Sequence, residues 1–416
     1  MLRKLSLVLL TALAMGVASA PAQVSRAQDT LKIGLLTDKT GALALYGVEL
    51  SNGFNLGLQY ATNGTMEVAG RKIEVLERDN AGKPETAVSQ ARELVETEGV
   101  ELLVGSPSSG VVVAVQQVAV DSDVILMAAP GASPAITGKG FNVNTFRVCR
   151  NTYQDSLAFV SYAKSSGMTK FVILAADYEF GRASAAAFEA VFKAAGLEFV
   201  HDTIYAPLET SDFTQYLQQV LDSGAQAVIP IWAGDTSVAL YKQIEELGVK
   251  NKMSVIGAFN SNDIVKVSDP SNIGNTSWIV YHYSFPKNEI NDWLVTEHKK
   301  QFNDVPDLFT ECSFATAQAL VAALETTKGD PTPKAMIPAL EGMTFEGPKG
   351  TYYIRPGDHQ ALVPMYIAKL VNLDDPDQKY YELLQEVPAL DIIPPCEAPA
   401  DRCAMNDAFM EKISKK

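Results

Sequence analysis

The sequence predicts an α/β protein made of two doubly wound α/β lobes of similar build, one after the other. Three observations predict it. Short apolar runs, first Leu31-Lys32-Ile33-Gly34-Leu35-Leu36, are interrupted too rarely for half-exposed strands, so they read as strands covered on both faces, as in a parallel sheet. Each run ends in a loop of small or turn-forming residues and then a segment with helical spacing; such units in series imply right-handed crossovers. The pattern then restarts at Lys170.

The elements follow in order. After Leu31–Leu36 comes a loop with Thr40, Gly41 and Gly47, then a helix over Val48–Ala61. A ligand in an open α/β sheet sits outside the carboxyl ends of the strands, so this loop is the first candidate wall of a binding site. Lys72–Glu77 alternates as a strand and ends at Asp79-Asn80. Pro84–Gly99 is amphipathic, with Ala87, Ala91, Leu94 and Val95 on one helix face. The strand Val100–Val104 runs into Gly105-Ser106-Pro107-Ser108-Ser109-Gly110, and a helix covers Val111–Val120. Val124–Met127 is a buried strand closed by Ala128-Ala129-Pro130-Gly131-Ala132-Ser133-Pro134.

Thr145–Arg150 is a short extended segment, and Tyr153–Ser166 is helical. The second series has strands at Lys170–Ala176, Glu198–Tyr205, Ala227–Trp232 and Ser254–Gly257. Its helices are Arg182–Ala195, one capped by Asp212-Phe213 and reaching Ser223, and one reaching Leu247. Trp278–Tyr283 is extended, while Asn288–Phe302 and Thr310–Lys328 are helical. Thr351–Ile354 and Ala361–Val371 read as strands that finish one lobe, and Pro388–Lys416 as a tail with clustered Pro and two Cys.

A length of 416 residues suits two or three domains, and an apolar fraction of 47% supports a large core. Residues 1–27 read as a secretory signal peptide: Arg3 and Lys4, then the apolar stretch Leu5–Val17, then small residues. Cleavage after Ala20, Ala22 or Ala27 stays open. No Cys stands near these sites, which argues against a lipid anchor, so a soluble protein exported through its signal peptide is expected. The net charge of −15 becomes about −18 once Arg3, Lys4 and Arg26 are removed, a surface that repels nucleic acid. Of the four Cys, Cys396 and Cys403 are expected to pair; Cys149 and Cys312 are too far apart in sequence to decide. No metal site or cofactor is expected, because no CxxC or HxxxH spacing occurs and the four His are scattered.

Two enzyme-like motifs fail on context. Asp38-Lys39-Thr40-Gly41 spells the phosphorylation motif of P-type ATPases, without the membrane domain that chemistry needs. Ser161-Tyr162-Ala163-Lys164 fits SxxK, but Lys39-Thr40-Gly41 precedes it instead of following it, and no SDN occurs. With no GxGxxG, GxxxxGK[ST] or GxSxG, an enzyme is not expected.

The order and spacing of several motifs carry a likeness: Thr40-Gly41 and Tyr46-Gly47, Gly105 with Ser108-Ser109, Ala129–Pro134, Asp177–Gly181 and Arg355–Gln360. Over roughly residues 30–372 the chain resembles the type I periplasmic substrate-binding proteins of ABC transporters, the leucine/isoleucine/valine-binding group. The resemblance implies two lobes joined by three hinge crossings, near Arg147–Cys149, Val280–Tyr283 and Glu346–Gly350. Lobe 1 would be 30–147 plus 283–347, lobe 2 would be 148–282 plus 348–390, and 391–416 a Pro- and Cys-containing tail.

By the same resemblance, Ser108 and Ser109 match serines that bind the ligand carboxylate, as hydroxyls and N–H groups at a helix N-terminus can. Gly131, Ala132 and Ser133 match the neighbouring contact loop. Tyr46, Phe180 and Phe309 match wall positions, and Trp232 with Asp235 a second-lobe loop. Phe259 falls near the place where an acidic residue holds the α-ammonium in leucine-type binders. Either Asp235 takes that cation, or the ligand has none and the aromatic cleft suits a flat or apolar molecule. Plainer roles compete: Ser108-Ser109 as a cap for the helix at Val111, Asp235 as an N-cap, Phe180 and Phe309 as core.

The implied function is capture of a small ligand and its delivery to an inner-membrane ABC permease by a monomer. The ligand would be an amino acid or another small apolar or aromatic carboxylate, with an amide or urea as the next option. The competing function is a sensor of the same fold feeding a signalling partner.

Overall fold

The structure is a computed structural model that describes residues 30–415. The signal peptide expected at residues 1–27 lies outside them.

Alternating side chains on the first sheet build two cores. Its six strands run in the order Glu67–Val68, Arg71–Asp79, Leu31–Thr37, Leu102–Gly105, Ile125–Ala128, Thr145–Arg147. The last five are parallel, with Ile33 opposite Leu102 and Leu102 opposite Ile125. Leu31, Ile33, Leu35 and Val104 enter one core with Phe54 and Leu320; Leu36, Leu103 and Leu126 enter the other with Ala87, Leu94 and Val115. Apolar residues at every position, not every second one, follow from cover on both faces. Helices Ala44–Ala61 and Leu308–Thr326 cover the first face, Pro84–Glu96 and Ser109–Asp121 the second. The first pair packs closely because Gly53 and Gly57 lack side chains: a Cβ there would lie 2.1 Å from the Thr310 carbonyl oxygen or 2.4 Å from that of Phe314.

The second lobe repeats the plan. Ser254–Val255, Ala227–Ile231 and Lys170–Ala176 are parallel neighbours, and Glu198–Phe199 and Ile204–Ala206 both pair with Lys170–Ala176. The single strand expected over Glu198–Tyr205 is thus two, broken where His201 and Asp202 stay exposed. An antiparallel sheet of Thr276–Ile279, Met365–Leu370 and Tyr381–Val387 adds Trp278, Ile367 and Tyr381 to the core around Phe159 and Phe171.

Four helices begin two or more residues earlier than their spacing predicts: at Ala44 instead of Val48, at Ser109 instead of Val111, at Glu179 instead of Arg182, and at Leu308 instead of Thr310. Tyr46, Phe180 and Phe309 therefore stand on first helical turns, more rigid than loops.

The chain leaves the first-lobe core after Cys149, and the residues Val280 and Phe285 are still in the second-lobe core. The third expected crossing differs. Around Glu346–Gly350 the chain turns back on itself: Thr344–Gly347 and Gly350–Ile354 form a hairpin, and Tyr352, Ile354 and Val363 enter the first-lobe core. The crossing comes after Val363, since Met365 belongs to the second-lobe core. Residues 348–363 thus pack with lobe 1, not with lobe 2. An apolar pattern identifies a strand without saying which of two cores receives it.

The hinge is tied by two devices. A disulfide joins Cys149 to Cys312, from the first crossing to the helix Leu308–Thr326. The buried Lys349 ammonium donates to the carbonyl oxygens of Val280 at 3.2 Å and Pro364 at 3.0 Å, and stands 3.6 Å from Glu311 Oε2. Cys396 and Cys403 are also paired, as expected, and the tail they belong to contains a helix, Ala400–Ile413.

Candidate functional site

Between the lobes lies a cavity lined from both sides. The first lobe lines it with Leu43, Tyr46, Pro107, Pro130, Ala132, Leu308 and Phe309, and the second with Tyr178, Phe180, Ser184, Trp232, Phe259 and their neighbours. Arg150, Thr152, Asp155, Trp278 and Val280 line it from the crossings and the elements beside them. Most of this surface is aromatic or aliphatic. Tyr46 meets Phe309 edge to face, with ring centroids 4.7 Å apart.

The polar part is concentrated beside the first crossing. Arg150 Nε donates to Asp155 Oδ1 at 3.3 Å, and its guanidinium carbon is 5.7 Å from the Phe309 ring centroid. Arg150, Asp155, Thr152 and Ser184 are all buried. Burial lifts the Asp155 carboxyl above its ordinary range, and Arg150 opposes that shift. Three buried polar atoms in this wall have no hydrogen-bond partner: Arg150 Nη1, Thr152 Oγ1 and Ser184 Oγ. Native proteins pair nearly all such atoms, so each needs an explanation.

The lobes are in contact around the cavity. Tyr46 Oη donates to Asn260 Oδ1 at 2.7 Å and accepts the Gly234 N–H at 3.2 Å. The Asp235 N–H donates to the Ala42 oxygen at 3.0 Å, and Ser133 Oγ to Glu179 Oε1 at 2.8 Å. The Asn262 N–H donates to Asp307 Oδ2 at 2.6 Å. Gly234, with φ +82°, is needed at this contact: a Cβ would lie 2.1 Å from the Ala42 oxygen. The conformation is closed.

Of the residues expected at a site, Tyr46, Ala132, Phe180, Trp232, Phe259 and Phe309 line the cavity. The other five stand behind or beside it. Ser108 Oγ accepts the Val111 N–H at 3.4 Å, the helix cap that was its plainer role. Ser109 Oγ accepts the N–H groups of Ala132 and Ser133, each at 3.1 Å. The Gly131 N–H donates to the Ser106 oxygen at 3.0 Å. Ser133 and Asp235 bridge the lobes as above. Asp38, of the ATPase-like motif, is buried and accepts from Ser106 Oγ and from the Ser108 N–H at 3.1 Å, so it shapes this loop. Burial pushes its carboxyl up to about 6.

Arg150, Thr152, Asp155 and Ser184 were not anticipated. Arg150 read as the end of an extended segment, and no spacing in the sequence separates it from an ordinary surface arginine.

The periplasmic binding protein profile matches residues 30–376. The chain belongs to that family. This binding protein is 28% identical over 378 residues to Leu/Ile/Val-binding protein homolog 6 of Brucella melitensis, covering 88% of this chain and 93% of that one. It is 33% identical to an ABC-type branched-chain amino acid transporter protein of Rhodopseudomonas palustris CGA009, with TM-score 0.72, covering 88% of this chain and 99% of that one. A solute-binding protein of an ABC transporter from Rhodopseudomonas palustris BisB5, solved in complex with 3,4-dihydroxy benzoic acid, is 26% identical with TM-score 0.77, covering 87% of this chain and 98% of that one. The binding protein is thus a small-ligand carrier of the ABC transport type.

Proposed function

We propose that this binding protein captures a small aromatic carboxylate of the hydroxybenzoate class. The three unpartnered atoms Arg150 Nη1, Thr152 Oγ1 and Ser184 Oγ carry this reading. A carboxylate accepts hydrogen bonds, and Asp155 has taken only the Nε of the buried Arg150 guanidinium, which leaves Nη1 to donate. A flat ring suits the walls of Tyr46, Phe180, Trp232, Phe259 and Phe309. Asp155 is the one carboxylate among the lining residues, and Arg150 occupies it, so no group there favours an ammonium. The relative that holds 3,4-dihydroxy benzoic acid supports the same ligand class. Ser108, Ser109, Gly131 and Ser133 then act behind the wall as its scaffold, and Asp235 at the lobe contact. The exported chain would act as a monomer and would present its closed form to an inner-membrane permease.

A thermal-shift series on refolded, ligand-stripped protein tests this. At one hundred times its Kd, 4-hydroxybenzoate or 3,4-dihydroxybenzoate stabilises by about 2.7 kcal/mol. Stabilisation by leucine with none by any benzoate overturns the proposal.

A further inference from the structure

We infer that residues 388–415 are a strap that crosses the hinge a fourth time and limits how far the lobes open. The family profile ends at residue 376, before this segment begins. It leaves from the second lobe: strand Tyr381–Val387 pairs with Met365–Leu370, and Ile392 is buried in the second-lobe core. It arrives on the first lobe. Arg355 Nη1 donates to the Pro394 oxygen at 2.7 Å. Beyond it, Arg402 Nη2 donates to Glu341 Oε1 at 2.6 Å, the Gly357 N–H donates to Asn406 Oδ1 at 2.7 Å, and Phe409 and Ile413 pack on Leu362. Leu362 belongs to the hairpin sheet whose Tyr352 and Ile354 sit in the first-lobe core.

The tie has no slack. Anchors to the two lobes alternate along the segment, with Ala389 and Leu390 in the Leu362 cluster, Ile392 in the second-lobe core and Pro394 on Arg355, and a residue spans at most about 3.6 Å. Glu397 adds a polar bridge: its Oε1 accepts from Tyr153 Oη of the second-lobe helix Thr152–Ser165 at 3.1 Å, and its side chain lies against Gly138 of the first lobe. The Cys396–Cys403 disulfide fastens the start of the last helix to the Pro-rich run before it. Three single-chain crossings permit a hinge rotation. A fourth tie anchored on both lobes must detach or stretch unless the rotation stays small. The ligand-free protein therefore stays near its closed form.

The test reads the distance between lobes without ligand, so it stands apart from the hydroxybenzoate proposal. Spin labels on noncanonical residues at the exposed positions 96 and 246 report one lobe each. The full mature chain is compared with a chain ending at Val387 and with the triple variant C396S/C403S/R402A. The full chain should give one narrow distribution. Both altered chains should gain a longer-distance population at least threefold larger than any in the full chain, with unchanged circular dichroism. If truncation prevents folding, the triple variant decides. Distributions that coincide in the folded variants and the full chain overturn the strap.

Discussion

The serines of the first-lobe loops and the polar residues beside the first crossing border the same cleft, and the protein uses them differently. In the first lobe Ser108, Ser109 and Ser133 each hold a backbone N–H of their own lobe, and Asp38 holds the loop that carries Ser108. Beside the crossing, Arg150, Thr152 and Ser184 each keep a buried polar atom without a partner. Both groups sit at element ends, where a binding residue belongs. Their hydrogen-bond accounts separate them: the satisfied hydroxyls hold the wall together, and on the proposed reading the unsatisfied ones that line the cavity face the ligand. Polar residue type and position alone do not make that distinction.

Four outcomes can break or sharpen this contrast, taken from the largest effect down. R150A should weaken 4-hydroxybenzoate binding about 100-fold, the cost of removing a charged hydrogen-bond partner from a buried carboxylate. It should also lower the melting temperature, because Asp155 is left as an unpaired buried acid. The double variant R150A/D155N should recover the melting temperature and not the affinity. Affinity recovered together with stability would show that Arg150 serves the fold alone. S184A should raise Kd about 5-fold and leave melting of the free protein unchanged, since it removes a hydroxyl that has no protein partner. S108A should do the reverse: about 1 kcal/mol of stability lost with the helix cap, and the same Kd. An S108A variant that binds poorly but melts normally would invert the contrast.

The smallest effect concerns the lobe contact. Burial is the main cause that lifts both Glu49 and Asp307; the charges of Asp263 and Asp304 add to both shifts, and that of Asp307 adds to the shift at Glu49. The N–H groups of Asn262 and Leu308 oppose the shift at Asp307, which ends at about 7 against an ordinary 3.8. A carboxyl raised by folding stabilises the native state below its unfolded value, and that stability is lost as pH rises toward the folded value. The D307N chain should therefore gain in melting temperature relative to the natural chain between pH 4 and 7. A difference that stays flat across that window would place the Asp307 titration elsewhere.

Much of the fold was legible, and the reason is burial on both faces. Runs such as Leu31–Leu36 and Lys170–Ala176 have so few polar residues that only a covered strand suits them. What failed was assignment between neighbours. Tyr352 and Ile354 looked like strand residues and are, but the hairpin turn at Gly347–Gly350 sends them to the first lobe. The helix Ala400–Ile413 was read as tail because Pro394, Pro395 and Pro399 precede it and its packed face is small, Phe409 and Ile413 with few others. The site was half legible. Aromatic walls at Tyr46, Phe180 and Phe309 follow from motif order, since helix starts bring them to the strand ends. Arg150 was not, because its meaning depends on Asp155 one helical turn on and on a free Nη1, and a sequence displays neither.

Lys349 pins two crossings of the hinge to one point. Its one nitrogen holds the carbonyl oxygens of Val280 and Pro364, which belong to two different crossings. Translation of one crossing along the other would break a bond, whereas rotation about an axis through that nitrogen keeps both. That nitrogen is then a shared pivot for relative lobe movement, which leaves rotation and removes sliding. K349M should release the pin, so that distances between labels on the two lobes spread more widely than in the natural chain.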